Sequence, residues 1–375
     1  MYKLLKKLAI VRTSISHQSI THYNSQELGL ALELSKKEIL IDIFYASNRN
    51  EIVNVNDYVR IIYLTTISFY KQQGLLKNIN SYLLKGQYDL IQIAEESMLQ
   101  SVLISKYAKE LNTPVVLLQG MYESHSGLIK QIIQRTYNFI LLPILRKNIQ
   151  LAICKTTSAQ NYLYNLNFKN TKVIPVGFNS SIINSEVTPD KELENIDASK
   201  KIILYIGKIE KRRNPDFILE LAKAYENNEN IIFVCVGNGE LEEEFVGKKG
   251  KNVLHFNKIK QNQLQFLYDK ASLFLMPTNY EIFGMVYLEC MHFGVPVITT
   301  LNAGSMDLFE NNYDSFIVDS LNLKEWIEKI DHIINSNIGA DFSQRLKKKS
   351  SKYDWSTISD TYLREYQNVV SLFNK

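Results

Sequence analysis

The feature that most constrains this chain is the repeated alternation of short apolar runs with helix-length segments. The first half carries "KLAIVRT", "EILIDIFYA", "VRIIYLT", "YDLIQIA", "PVVLLQ", "QLAICKT" and "KVIPVG"; the second carries "KIILYIG", "IIFVCVG", "NVLHF", "LFLMP", "VPVITT" and "SFIV". A strand open to water on one face alternates apolar with polar residues, but "LAIV" and "IIFVCV" do not alternate, so both their faces need cover. Segments of helical period supply it, among them "NSQELGLALELSKK", "SMLQSVLISKYAKEL", "NPDFILELAKAYENN", "QNQLQFLYDKA" and "LKEWIEKIDHIINS". Buried strands joined by helices imply parallel sheets with right-handed crossovers. Two such series predict an α/β protein of two doubly wound domains, residues 1–178 and 179–356, which agrees with a length of 375 residues. The polar stretch 179–201 is the expected linker. In such sheets ligands bind at the carboxyl ends of strands, so the cleft between domains is the expected site.

Bulk properties exclude several classes. Hydrophobic residues make up 45% and charged residues 22%, which is ordinary for a globular chain. A net charge of +4 is too small to imply nucleic acid. Residues 1–195 hold 21 basic and 15 acidic residues, against 22 and 24 in the remainder. A mildly basic first half fits a surface facing phosphates or anionic headgroups, and equally fits scattered solvated side chains. Cys154, Cys235 and Cys290 lie in apolar stretches without metal spacing, as expected of a reduced cytoplasmic chain. "MYKLLKKLAIV" lacks signal-peptide features, and no apolar run approaches the roughly 18 residues of a membrane span.

Familiar motifs fail on inspection. Gly237-Asn238-Gly239 follows a strand, but Glu242 stands where a dinucleotide fingerprint needs its third glycine. "GKKGK" (247–251) has neither the spacing nor the Ser or Thr of a phosphate loop. Hydride transfer, nucleoside triphosphate hydrolysis and zinc chemistry lose support accordingly. What survives is "EIFGMVYLE", Glu281 to Glu289. Glu281 is expected in a loop at the carboxyl end of the strand "LFLMP". "FGMVYLECMHF" reads as a helix that Gly284 opens and Gly294 ends. The amides of Phe283, Gly284, Met285 and Val286 then lack helical acceptors and suit an anion. Glu289 lies inside a largely apolar helix, where a carboxylate needs a hydrogen-bonding partner. A sugar nucleotide matches this order: sugar at Glu281, diphosphate at the helix start, hydroxyls at Glu289. Read locally, a solvated Glu281 and a Glu289 paired with a basic residue fit as well.

Several segments, in order, resemble the retaining family-4 glycosyltransferases of the GT-B fold, in which two Rossmann-like domains face a central cleft. These are "VIPVGFN" (173–179), "YIGKIEKRRNPDFILELA", "VCVGNGELEEEF", the E-x(7)-E pair, "ECMHFGVPVITTLNAGSMDLF" and "YDWSTISDTYLREY". The resemblance is close from about residue 170 onward and one of pattern only before that. It implies that Glu289 binds the ribose, that Glu281 lies at the donor sugar, and that the amides of 283–286 hold sugar or diphosphate oxygens. It implies that Lys208 and Arg213 clamp the diphosphate, with Lys211 and Arg212 taking over if the register slips. Fixed cations there would stabilise the charge that grows on the leaving group. Gly207 would let backbone approach phosphate, and Lys258 and Ile259 would contact the base. Asn257 stands where the family has glycine, which predicts a turn with positive φ. The helix over 357–375 is expected to pack on the first domain.

The first half departs from the family. Gln119 replaces a histidine that faces the donor sugar; with Gly120 it is expected on the sugar or acceptor side, where it hydrogen-bonds but moves no proton. His125 is read as a loop histidine. "TSISHQSITHYNSQ" replaces a glycine-rich acceptor loop, and its His17 is the candidate acceptor contact; the same residues also fit a helix cap. The resemblance implies a hexosyltransferase that needs neither metal nor cofactor, a UDP-sugar donor in preference to a GDP-sugar, and front-face transfer in which the donor phosphate takes the acceptor proton. It implies a glycan or lipid-linked acceptor in bacterial capsule, lipopolysaccharide or exopolysaccharide synthesis. "LIKQIIQRTYNFILLPILRKNIQ" (128–150) reads either as a segment lying on the cytoplasmic membrane surface or as a core helix. The competing reading is a catalytically silent sugar-nucleotide-binding subunit. A GT-B phosphorylase would need a longer chain with a cofactor lysine, and an epimerase lacks the E-x(7)-E context.

Overall fold

The computed structural model describes residues 4–14, 25–70, 73–123, 128–180, 189–194, 196–197 and 199–373. It divides into two compact units, Met1–Gly177 with Trp355–Lys375, and Phe178–Asp354.

The first unit is built on β1 (Lys7–Val11), β2 (Leu40–Ser47), β3 (Glu51–Asn54), β4 (Val59–Tyr70), β5 (Gln73–Leu76), β6 (Leu90–Ala94), β7 (Val115–Gln119), β8 (Leu151–Cys154) and β9 (Thr171–Val173). Their order is β3-β4-β2-β1-β6-β7-β8-β9, with β5 on β4. All neighbours are parallel except β3 and β5, which pair antiparallel with β4. Apart from the short, exposed edge strand β9, the parallel strands are the non-alternating apolar runs, and all five residues of β7 are buried. β3 and β5 escape a reading based on apolar runs. β3 is four residues long and half exposed, and a polar turn creates it: Asn56 Oδ1 accepts from the amides of Tyr58 (2.9 Å) and Val59 (2.8 Å).

The helix Trp355–Phe373 belongs to this unit. Its inward stripe is Trp355, Ile358, Tyr362, Tyr366, Val369 and Val370, the spacing of one helical face. Trp355 lies between two glycines: a Cβ on Gly29 would sit 2.2 Å from its Nε1, and one on Gly177 2.6 Å from its ring. Lys172 Nζ closes on Glu365 at 2.6 Å, and Tyr366 hydroxyl pairs with Gln92.

The second unit holds β10 (Lys201–Ile206), β11 (Ile231–Val236), β12 (Val253–Phe256), β13 (Ala271–Met276), β14 (Val297–Thr300) and β15 (Phe316–Val318). The sheet is parallel in the order β12-β11-β10-β13-β14-β15. This is the doubly wound 3-2-1-4-5-6 arrangement, whose order reverses between β10 and β13. Trp326, fully buried, meets Phe217 edge-on at 5.4 Å in the core on one side of the sheet. The loops that follow β10 and β13 leave from the crevice of the reversal.

Candidate functional site

Those two loops are tied into one structure. After β10 the chain turns through Gly207 and a 3₁₀ turn, Lys211–Arg213, into the helix Pro215–Ala224. Asn214, at φ +49°, donates its amide to Pro277 carbonyl (2.7 Å) and Asn279 Oδ1 (3.0 Å). Asn279 N–H returns to Arg212 carbonyl at 2.9 Å, and Arg212 Nη1 donates to Tyr280 carbonyl at 2.8 Å. Arg212 also pairs with Glu210, so it laces the loops together, unlike its neighbour.

That neighbour, Arg213, has a different environment. Its Nη2 lies 2.7 Å from Glu281 Oε2, with side-chain exposures of 11% and 13%. Its Nε and Nη1 are buried and have no hydrogen-bond partner among the described residues. A buried donor left unmade costs about 1–3 kcal/mol, so two on one guanidinium are a strain that a ligand oxygen would relieve. Lys208 lies in the same loop with an exposed side chain, and its carbonyl accepts from Tyr205 hydroxyl at 2.7 Å.

The helix after the second loop is Met285–Phe293. Gly284, at φ +83°, opens it and Gly294, at φ +72°, closes it. Tyr287 N–H bonds Gly284 carbonyl at 3.0 Å, so the amides from Phe283 to Val286 precede the first helical bond. Phe283 is buried and fixes the loop from below. Glu289 is buried too, and its Oε2 accepts from Tyr268 hydroxyl at 2.5 Å. Tyr268 in turn stacks on Phe293, with ring centroids 5.2 Å apart and planes 6° apart. The helix thus holds its internal carboxylate with a tyrosine hydroxyl among its partners.

Gly237-Asn238-Gly239 has a steric function here. Gly237 has φ +144°, and a Cβ on it would fall 1.8 Å from Gly207 carbonyl oxygen. A Cβ on Gly239 would fall 2.3 Å from Ile209 carbonyl oxygen. The turn after β11 lies directly on residues 207–209, bonded by Gly207 N–H to Val236 and Ile209 N–H to Asn238, both at 2.9 Å. Lys258 is exposed and Ile259 half-buried in the loop after edge strand β12. Asn257 is not among the positive-φ residues, which corrects the expected turn: its side chain bonds Glu242 Oε1 at 2.6 Å instead.

In the first unit, Gln119 takes a role other than the expected contact with a sugar. Its Nε2 donates to Glu96 Oε2 (2.6 Å) and Met121 carbonyl (2.9 Å), and its Oε1 accepts from Glu96 N–H (3.0 Å). Both amide protons are used inside a fully buried site, so Gln119 holds Glu96 and presents no donor to a ligand. Gly120 N–H, with that of Met121, binds the carboxylate of Glu95, which stands at φ +60°. Glu95 and Glu96 went unread as site candidates; the signal is "AEES", two acids directly after the buried strand β6. Lys155 and Arg12 stand at the carboxyl ends of β8 and β1; Arg12 lies 3.5 Å from Glu27 at the start of the helix Gln26–Ser35, and Lys155 Nζ lies on Gln26 Oε1 at 2.7 Å. His17, most of the loop around it, and His125 lie outside the described residues.

Burial, then the charge of Glu95, pushes the Glu96 carboxyl up to about 7, although Tyr162 hydroxyl donates to it at 2.9 Å. A folded-state value above the unfolded one means that the folded chain keeps a proton which the unfolded chain releases. Stability therefore falls as pH rises through the window from about 4.5 to about 7, by on the order of 3 kcal/mol. Glu96→Gln is expected to abolish most of that slope and to melt above the parent at pH 8, as thermal scans from pH 5 to 8 would read. An unchanged slope would show that Glu96 ionises freely in the fold.

Residues 187–353 match the family model described as glycosyl transferases group 1. The second unit is thus a glycosyltransferase group 1 domain, and the fold of the chain is that of the GT-B glycosyltransferases. Sucrose-phosphate synthase from Thermosynechococcus elongatus superposes with a TM-score of 0.77 at 15% identity, over 98% of this chain and 100% of that one. Anabaena Alr3699/HepE in complex with UDP and glucose gives 0.71 at 15% identity, over 97% and 100%. The capsular polysaccharide biosynthesis glycosyltransferase CapM of Staphylococcus aureus is 27% identical over 52% of this chain and 56% of its own length. The chain spans between about half and two thirds of the length of four of the curated relatives it matches. No helix among the described residues is long and apolar enough to cross a membrane, and no group of His, Cys, Asp or Glu there could hold a metal ion.

Proposed function

We propose that this chain is a retaining glycosyltransferase that moves a sugar from a nucleoside diphosphate sugar, a UDP-sugar in preference to a GDP-sugar, onto a glycan or lipid-linked acceptor. The observation that carries this reading is the pair of unpartnered donors on buried Arg213, held beside Glu281 at the start of the helix Met285–Phe293. The site offers cationic donors and helix-start amides together, which suits a diphosphate leaving group without a metal ion. UDP and glucose bound to the Anabaena structure support the donor class, and CapM supports a place in capsular polysaccharide biosynthesis; the reading puts that work on the cytoplasmic side of the membrane. Lys208, exposed in the same loop, would close on the diphosphate as a second cation.

The deciding experiment is a screen of UDP-, GDP- and other sugar nucleotides by thermal shift and turnover. Stabilisation by a UDP-sugar with release of UDP is the expected result; no response to any donor would end the reading. Stabilisation without hydrolysis or transfer over many acceptors would favour a silent binding subunit instead. Glu289→Ala is expected to raise the donor KM about tenfold, the equivalent of one lost charge-assisted bond, with kcat within about twofold. Initial rates against donor concentration separate the two, and an unchanged KM would remove Glu289 from the ribose.

A further inference from the structure

The helix Leu128–Ile140 of the first unit turns its apolar face outward. Ile132, Ile133, Phe139 and Ile140 are 56%, 61%, 84% and 57% exposed, and Phe139 is the most exposed large apolar side chain among the described residues. At 100° per residue these four fall within an arc of about 120°, with Thr136 inside it. The adjoining flank fixes the helix. Tyr137 hydroxyl donates to Glu96 carbonyl at 2.6 Å, and Tyr137 and Leu141 pack on the core. Leu142 and Leu145 of the following short helix are buried, while Pro143, Ile144 and Lys147 are exposed. The outward apolar face is therefore held rigidly at the carboxyl edge of β6.

Charge says what covers it. From residue 124 to residue 185 the sequence holds no acidic residue, against Lys130, Arg135, Arg146 and Lys147 on the two helices themselves; Lys155 and Lys172 of the same stretch are engaged elsewhere, on Gln26 and Glu365. Arg135 stands exposed on the helix itself. A second copy of the chain would bring like charges together around the same apolar face, which opposes self-association. An apolar face with a cationic rim fits a bilayer whose headgroups are anionic, with the large side chains entering the boundary between headgroups and acyl chains. Thirteen residues of helix span only about 20 Å, less than the roughly 30 Å of a hydrocarbon core, so the helix lies in the surface plane.

We infer that Leu128–Ile140 is the face by which this chain lies on an anionic membrane surface, which deepens the proposed function by naming the surface that presents a lipid-linked acceptor and rests on that reading. The test is co-flotation of the full chain with vesicles of phosphatidylglycerol and phosphatidylethanolamine, beside pure phosphatidylcholine. The parent is expected to float with the anionic vesicles at least tenfold more than with the neutral ones, and less as salt rises. Ile133→Glu with Phe139→Glu is expected to cut flotation at least tenfold while keeping the parent's thermal shift with UDP. Flotation with neither vesicle, or equally with both, overturns the inference. A doubled mass in light scattering that the double variant abolishes also overturns it, by giving the face to a second copy. Flotation without any thermal shift from UDP sinks the donor reading and leaves the lipid surface standing.

Discussion

Arg213→Ala is expected to lower kcat for sugar transfer by roughly 100- to 1000-fold, the range found when one preorganised donor to a developing oxyanion is removed. The same change should move the melting temperature little, because two costs oppose each other: Glu281, 13% exposed, loses its 2.7 Å partner, while two unpartnered donors are removed. In the parent, Nε and Nη1 of Arg213 are buried without partners, and that cost disappears with the side chain. A large loss of activity with little change in stability is the mark of a group held for its ligand rather than for the fold. Arg213→Lys should recover little. The guanidinium gives one edge to Glu281 at 2.7 Å and keeps two other nitrogens for a ligand, whereas an ammonium has a single nitrogen for both jobs. Removing Glu281 as well should add less than its separate effect, because the pair acts as one unit. Steady-state kinetics of the three variants, with thermal scans, make the comparison; near-parental kcat in Arg213→Ala would refute the assignment of the leaving-group charge to this residue.

The contrast between Arg213 and Arg212 marks how far the sequence could be read. "EKRRNP" shows three adjacent cations that the residues alone do not rank; only the family resemblance singles out Arg213. Burial ranks them: 11% of the Arg213 side chain is exposed against 42% for Arg212, a difference set by the loop after β13, some 65 residues away. The parallel strands were legible because burial on both faces writes itself into composition at each position. β3 and β5 were not, since short half-exposed edge strands carry no such mark. Gln119 is expected as a ligand contact because it stands where the resembling family has a histidine facing the donor sugar. The missing information was the buried Glu96 beside it, which claims both amide protons. For the segment 128–150 the sequence left membrane surface and core helix both open, and the apolar face of Leu128–Ile140 turns out to point away from the core.

Gly237→Ala is the substitution expected to damage the second unit most. The sequence offered Gly237-Asn238-Gly239 as an incomplete nucleotide fingerprint, but the need for glycine is a contact between two backbones. At φ +144° any side chain is strained, and the added methyl would sit 1.8 Å from Gly207 carbonyl oxygen. Neither partner can swing away as a flexible side chain would. Gly207 N–H is bonded to Val236 and Gly237 N–H to Phe256, both at 2.9 Å, so relief requires breaking the join between the turn and the loop that carries Arg213. A cost of about 3 kcal/mol follows, which for a unit of this size lowers the melting temperature by roughly 6–12 °C. Gly247→Ala is the matched control. It lies in the helix Glu242–Lys248, and nothing stands within 4 Å of an added Cβ. There the helix-forming preference of alanine acts alone and should raise stability by about 0.5–1 kcal/mol. Opposite shifts from the same chemical change, read in thermal scans of the two variants, would locate the constraint in the contact at Gly207; a Gly237→Ala variant that melts with the parent would mean that the turn and the Arg213 loop are free to separate.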